Sequence, residues 1–238
     1  MHNIPNEVLD KTIVIVLTHA NTDYKISILN ECLSGITFPK LLSVNYPLTD
    51  ESQRLTDWIL YSKENPILLG ENFSDYDMTL GRWFINNEGV RIDIPHKFDN
   101  AYAVYKLVKD AINYAKYLGK EYIHVVNYDF TITDEVIAEN TLLLNEHDLI
   151  MYTCPPGTFG RPACSTAFFS GKLSTIEQFF NRFNTIVDYY WYKIDGLFLE
   201  EKFYTFFTQQ NTNMKQDTLH NLGTRCHIGR HAIIADFD

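Results

Sequence analysis

The feature that most constrains the fold is an amphipathic segment together with the apolar run that follows it. Between Asn100 and Tyr117 apolar side chains recur at spacings of three and four, which places them on one face of a helix. Gly119 is a typical C-terminal stop, and residues 122–126 (YIHVV) then have the composition of a buried strand. Because a helix that leads into a buried strand is half of a parallel crossover unit, this segment predicts an α/β sheet.

The same alternation is present on both sides of this unit. Lys11–Leu17 (KTIVIVL) predicts a strand that is covered on both faces, and a helix is predicted over Asn21–Ile36. The other predicted elements are strands at 41–44 and 58–61, a helix at 133–144, strands at 149–153 and 167–170, a mainly helical part at 174–210 and a strand at 232–235. The predicted fold class is α/β, with a mostly parallel central sheet flanked by helices and a helical, aromatic-rich C-terminal part.

Composition excludes several classes of protein. A net charge of -10 argues against a broad nucleic-acid surface. No apolar run approaches the ~20 residues that span a bilayer, and the first ten residues lack a signal pattern, so a cytoplasmic protein is expected. No repeat or Gly/Ser/Pro-rich linker divides residues 1–238, which predicts a single domain. The cysteines form no CxxC pair, which favours buried free thiols over a zinc site; they are Cys32, Cys154, Cys164 and Cys226.

Polar side chains follow the predicted strands at their carboxyl ends, where open parallel sheets bind ligands. Neither GxGxxG nor GxxxxGK[ST] follows the first strand, so a phosphate group needs a carboxylate-bound cation or side-chain donors. Asp129 suits the first arrangement, because Mg²⁺ and Mn²⁺ bind carboxylates together with substrate phosphates. Asn127 lies two residues earlier and adds an amide oxygen on the same side of an extended chain. The alternative is that Asp129 caps the next helix or forms a turn with Thr131 and Thr133.

The order of these segments resembles the GT-A class of glycosyltransferases, and more narrowly the small family 2-like enzymes of viruses and bacteria. The segments concerned are KTIVIVLTH, WILYSKENP, AYAVYKLVKDAINYAKYLG and EYIHVVNYD, and the resemblance covers about residues 11–172. It implies a GT-A-like, Rossmann-type fold in which residues 11–130 bind a nucleotide sugar and residues 131–238 bind the acceptor. Asn127-Tyr128-Asp129 occupies the position of the class's DxD motif, with an asparagine in place of the first aspartate.

The resemblance also implies which residues contact a UDP- or GDP-sugar donor. They are Thr18, His19, Ala20, Asn21, Ser62, Lys63, Asn127, Tyr128 and Asp129. A divalent cation, Mn²⁺ or Mg²⁺, is expected on Asp129 and Asn127, with His227 as a third ligand from near the C-terminus. Ser62 stands where the class usually has an aspartate after the third strand.

An inverting transferase also needs a general base for the acceptor hydroxyl. The resemblance places this base at Glu201, with Glu200 next, and the alternative for this pair is a solvated helix face. The aromatic run Tyr189–Tyr192 favours helix packing first, and a sugar acceptor surface or a homodimer contact second.

The predicted function is the transfer of a sugar from a nucleotide sugar to a hydroxyl group of a glycan or another acceptor. Two other classes stay open. A carbohydrate- or nucleotide-binding module without catalysis is favoured by Asn127 and Ser62, the two departures from the class pattern. A sugar-phosphate nucleotidyltransferase is the second, although such enzymes usually carry a Gly-rich stretch after the first strand.

Overall fold

A computed structural model of the chain describes residues 4–62, 68–69, 83–85, 91–93, 98–99, 101–159, 161–191, 198–225 and 227–228, with the backbone alone described between 68 and 99 and at 187, 190, 191, 227 and 228. The strands are β1 (Thr12–Thr18), β2 (Lys40–Val44), β3 (Trp58–Tyr61), β4 (Leu68–Leu69), β5 (Trp83–Ile85), β6 (Arg91–Asp93), β7 (Phe98–Asp99), β8 (Tyr122–Asn127), β9 (Phe130–Thr131), β10 (Leu149–Thr153), β11 (Phe168–Lys172), β12 (Met214–Thr218) and β13 (His227–Ile228). The helices are α1 (Asn6–Asp10), α2 (Asp23–Ser34), α3 (Asp50–Arg54), α4 (Ala101–Tyr117), α5 (Asp134–Leu143), α6 (Leu173–Phe180), α7 (Ile186–Trp191), α8 (Leu199–Gln209) and α9 (Leu219–Gly223).

A seven-stranded sheet in the order β12-β10-β11-β8-β1-β2-β3 forms the centre of the molecule. β1 is parallel to β2 and β8, β2 is parallel to β3, and β10 is parallel to β12. Only β11 in this sheet is reversed, and it runs antiparallel to both β8 and β10. The predicted α/β class with a mostly parallel sheet flanked by helices is therefore confirmed.

The core lies on both faces of β1, as the apolar run predicted. Successive side chains of a strand point to opposite faces, so Ile13 and Ile15 pack with α4, whereas Val14 and Val16 pack with α2. Every residue of β1 is buried. The predicted amphipathic helix is α4, and its apolar stripe (Tyr105, Leu107, Val108, Ala111, Ile112, Ala115) is buried in the same core.

Helix ends follow the chemistry of their capping residues. α2 begins after Thr22, whose hydroxyl accepts a hydrogen bond from Lys25 N at 3.3 Å, and α5 begins after Thr133, whose hydroxyl accepts one from Val136 N at 3.4 Å. Gly119 follows α4 with φ of 71°, a left-handed conformation that glycine adopts without steric cost. The predicted boundaries of these helices are confirmed to within two residues.

One strand of the sheet departs from the predictions, and one predicted strand is untested. β12 was not predicted, because its sequence (MKQDT) is polar and its side chains are exposed or half-buried at the edge of the sheet. The predicted strand at 232–235 lies outside the described residues. Cys32 and Cys164 are buried free thiols as predicted, Cys154 is free but only half-buried, and Cys226 falls outside the described part. Among the helices that the structure describes, none has the length and apolar composition needed to cross a bilayer.

Candidate functional site

The candidate site lies where the direction of winding of the sheet reverses. The chain passes from β1 to β2 and β3 on one side, and then crosses to β8 on the other side of β1. Open α/β sheets bind ligands beyond the carboxyl ends of the strands at such a switch point. Since Leu17 is paired with Asn127, the segments Thr18–Asn21 and Asn127–Asp129 leave the sheet side by side.

Direct contacts hold these two segments together. Tyr128 N donates to Leu17 O at 3.0 Å, and the rings of His19 and Tyr128 meet edge to face with centroids 5.3 Å apart. The Thr18 hydroxyl accepts a hydrogen bond from Ala20 N at 3.0 Å, which turns the chain at the end of β1. The structure therefore brings together two groups of residues that the sequence predicts to bind a nucleotide sugar.

Asp129 lies in the tight turn between β8 and β9. The residue is half-buried, and its Oδ1 is shielded from solvent. Burial and the charge of Asp129 together raise the pKa of the Cys32 thiol to about 12, so the carboxylate lies close to α2. Thr133 is the N-cap of α5, which excludes the alternative that Asp129 caps this helix.

Asp129 and Asn127 are the two predicted cation ligands at this turn. The Asn127 amide oxygen accepts a hydrogen bond from Tyr128 N at 3.2 Å and lies at the start of the same turn. The backbone of His227 pairs with Thr131, two residues beyond Asp129. Within the described part of the chain, no group of three or more His, Cys, Asp and Glu side chains gathers as a metal site. Cation binding by Asp129 and Asn127, with substrate phosphates as the further ligands that Mg²⁺ usually takes, stays a prediction.

The ends of β2 and β3 border the same crevice. Val44 pairs with both Thr18 and Tyr61, and Ser62 N donates to Val44 O at 2.8 Å. Asn45 follows β2 between them, and its buried Oδ1 has no hydrogen-bond partner among the described residues. The sequence interpretation did not include Asn45, although a polar residue directly after a strand was the signal used for the other strands. Lys63 lies outside the described residues.

The two predicted bases have different surroundings. Glu201 is 2% exposed, and its two carboxylate oxygens accept hydrogen bonds from Arg161 N at 3.0 Å and Phe198 N at 3.2 Å. Glu200 is half-buried, and its Oε1 accepts a hydrogen bond from the Thr166 hydroxyl at 2.8 Å. The alternative interpretation of this pair was a solvated helix face. Because Glu201 is almost wholly buried, this alternative is excluded for Glu201.

A short backbone path connects Glu200 to the Asn127–Asp129 segment. Thr166 precedes Ala167, whose carbonyl accepts a hydrogen bond from Asn127 N at 2.7 Å. β11 continues from there along β8, with Phe168 paired to Val126. Glu200 therefore faces the loop that lies beside Asn127, and the reversed strand β11 is the element that brings it there.

The surroundings of the two thiols near Glu200 favour their protonated form. Burial raises the pKa of Cys154 to about 12 and the pKa of Cys164 well above its ordinary value, and the charge of Glu200 raises both further. A thiol that stays protonated is a poor nucleophile. Among these groups, the carboxylate of Glu200 is therefore the candidate for acid–base chemistry.

In the aromatic run of α7, Tyr189 packs in the core. This residue is fully buried, and its ring contacts Tyr102 and Tyr105 with centroids 5.6 and 5.5 Å away. The ammonium of Lys202 lies 5.3 Å from the same ring. The side chains of Tyr190 and Trp191, and all of Tyr192, lie outside what the structure describes, so a role of these residues in acceptor binding or in a homodimer stays a prediction.

Comparison with known proteins gives a likeness of fold but none of sequence. No protein-family model matches the chain, and no curated protein matches its sequence. Among solved structures, the fold is similar to a protein of Desulfovibrio desulfuricans G20 assigned as a nucleotide-diphospho-sugar transferase. The identity is 8%, the TM-score is 0.48, and the match covers 87% of this chain and 79% of that one. A likeness at this level assigns neither the reaction nor the site.

Proposed function

We propose that this chain is a glycosyltransferase of the GT-A type, which transfers a sugar from a UDP- or GDP-sugar to a hydroxyl group of a glycan. The observation that carries the proposal is the meeting of Thr18–Asn21 and Asn127–Asp129 at the switch point, with Glu200 facing the adjoining loop. These segments come from distant parts of the chain and supply the two kinds of group that the reaction needs. One kind holds a diphosphate, and the other accepts a proton.

Different strand ends bind different parts of the donor. The ends of β1, β2 and β3, with His19, Asn45 and Ser62, supply ring, amide and hydroxyl groups for the nucleoside. Asn127 and Asp129 would hold a divalent cation beside the diphosphate. Such a cation, Mn²⁺ or Mg²⁺, would supply a Lewis acid for the diphosphate that leaves the sugar.

Glu200 is the better placed of the two candidate bases. A general base must accept the proton of the attacking hydroxyl, so its carboxylate must reach the acceptor. Glu200 is half-buried and touches the loop beside Asn127, whereas both oxygens of Glu201 accept backbone N–H groups in a closed environment. Glu201 then holds the start of α8 and the loop at Arg161 in place, and thereby positions Glu200.

Thermal denaturation with a panel of nucleotide sugars, with and without Mn²⁺, tests the donor site. A donor at ~100 times its Kd should add about 2.7 kcal/mol to the free energy of unfolding of the parent. Asp129→Asn should lose the Mn²⁺-dependent part of this gain. Asp148→Asn is the matched control, because Asp148 directly precedes β10 and pairs with Lys172 at 2.8 Å, at the opposite end of the strands from the switch point. An Asp129→Asn protein that responds to donor and Mn²⁺ as the parent does would refute the metal role.

Release of nucleoside diphosphate in the presence of acceptor tests the base. Glu200→Gln should lower kcat by about 10²–10⁴-fold without weakening donor binding. Glu201→Gln should instead lower the free energy of unfolding by about 1–3 kcal/mol, since its new amide N–H₂ faces a backbone N–H. The opposite pattern would assign the base to Glu201, as the resemblance implies. Donor binding by the parent without any release of diphosphate would identify a binding module.

A further inference from the structure

A second concave surface lies on the α4 side of β3, away from the turn of Asp129. This open cleft has a volume of about 430 Å³, within the range of small-molecule sites. The side chains that characterise it are Tyr61, Ser62, Asp110, Asn113, Tyr114 and Tyr117. We call it the tyrosine cleft.

Aromatic rings are exposed to water at this cleft to an unusual degree. Tyr117 is 83% exposed and Tyr61 is 52% exposed, and they are two of the four large apolar side chains that are exposed in the described part of the chain. The ring centroids of Tyr114 and Tyr117 lie 6.0 Å apart, and the two rings are tilted by 30° from each other. Exposed apolar groups gathered at a concave surface mark a binding site more often than scattered ones do.

The polar groups of the cleft determine which ligand chemistry it suits. Asp110 Oδ2 contacts the Lys106 ammonium at 2.5 Å, and the amides of Asn113 and Asn181 meet at 3.5 Å, the upper limit for a hydrogen bond. Ligand hydroxyls can replace such a long contact at small cost. No Lys, Arg or His belongs to the described lining of the cleft, and the ammonium of Lys106 beside it is already paired with Asp110, so the described lining favours an uncharged ligand over a phosphate or a carboxylate.

We propose that the tyrosine cleft binds an uncharged saccharide, separately from the diphosphate of the donor. Sugar rings combine an apolar face with a rim of hydroxyls, which matches a tyrosine platform beside a carboxylate and an amide. Tyr61 lies two strand spacings from Thr18, roughly 10 Å, because Val44 pairs with both residues. A glycan in the cleft therefore lies next to the donor site, and its assignment as a distal part of the acceptor rests on the proposed function.

Binding of saccharides to the labelled full-length chain, on an array of neutral and acidic oligosaccharides, is the direct test. Calorimetry then measures affinity for the neutral oligosaccharide that binds best. Tyr117→Ala should weaken this binding by about tenfold, and Asp110→Asn should weaken it as well. The matched control is Tyr24→Ala, because Tyr24 is also a tyrosine, is 64% exposed, and lies on α2 outside the cleft.

Three results would overturn the proposal. They are the absence of binding to every neutral saccharide at millimolar concentration, a preference for acidic over neutral glycans, and an equal loss in Tyr24→Ala and Tyr117→Ala. The variant Asp129→Asn distinguishes saccharide binding in the tyrosine cleft from donor binding at the switch point. Loss of the donor response with retained saccharide binding in that variant supports saccharide binding in the cleft that does not depend on Asp129. Because Tyr117 is so exposed, its replacement should leave the fold intact, which circular dichroism checks.

Discussion

Acid should destabilise this protein through one buried histidine on the strand that leads to the candidate site. His124 on β8 is fully buried, and its ring nitrogens lie 2.8 Å from the Ser170 hydroxyl and 2.9 Å from the Thr141 hydroxyl. Thr141 donates its proton to Ile137 O, so it accepts one from His124 Nε2. Ser170 accepts from Asn140 and so donates to His124 Nδ1. This pattern satisfies a neutral imidazole, whereas a charged ring would direct a second N–H at Ser170.

The size of the loss in the free energy of unfolding follows from the pKa of the buried His124 ring. Burial lowers the pKa of His124 from 6.5 to about 3, so between these values the unfolded chain binds a proton that the folded chain does not. Stability contributed by the neutral ring is therefore present above pH 6.5 and is lost as pH falls toward 3. At pH 5, about 1.5 units below the unfolded value, the loss is about 2 kcal/mol.

Urea denaturation of the parent and of His124→Gln at pH 8 and pH 5 measures this effect. The variant is less stable at pH 8, because it disrupts the network, but the drop between pH 8 and pH 5 should be smaller than in the parent by about 2 kcal/mol. His220→Gln, at an exposed histidine on α9, should keep the parental drop. Equal drops in His124→Gln and the parent would refute the assignment of the titration to His124.

Three further substitutions test how the elements around the site are held. Gly171→Ala would place a Cβ 2.9 Å from Ile176 on α6, and urea denaturation should show a loss of about 1–3 kcal/mol that Ile176→Val partly restores. Tyr105→Phe removes a hydroxyl that donates to Phe180 O at 2.6 Å and accepts from Phe183 N at 2.9 Å; a loss of about 1–3 kcal/mol is expected by thermal denaturation. Thr133→Ala removes the cap of α5 and should cost about 1 kcal/mol by the same measurement.

Local patterns were sufficient for most of the framework. The period of α4 and the apolar run of β1 predicted their positions, because each depends on burial of a face that the chain displays every few residues. The same reasoning placed Asp129 at the carboxyl end of a strand. β12 escaped prediction because an edge strand with polar side chains carries no such pattern. The metal ligands, the single-domain organisation and the cytoplasmic location stay predictions.

Local sequence patterns do not determine the geometry of the candidate site. The sequence indicated Glu200 and Glu201 as an undivided pair, and resemblance favoured Glu201. In the structure Glu201 is a buried acceptor of backbone N–H groups, whereas Glu200 is a half-buried carboxylate. This difference depends on contacts with Arg161 and Thr166, which are 40 and 34 residues away in the chain. No periodicity of the α8 sequence contains that information.

The sequence by itself determined which segments become buried strands and helices, and which polar residues stand at strand ends. Tertiary structure decided which of those ends meet. The reversal of winding at β1 joins Thr18–Asn21 to Asn127–Asp129, and the reversed strand β11 connects Glu200 to them. The physical reason is that secondary structure follows from burial within a few residues, whereas a site depends on pairings between strands far apart in the chain, which only the packed sheet fixes.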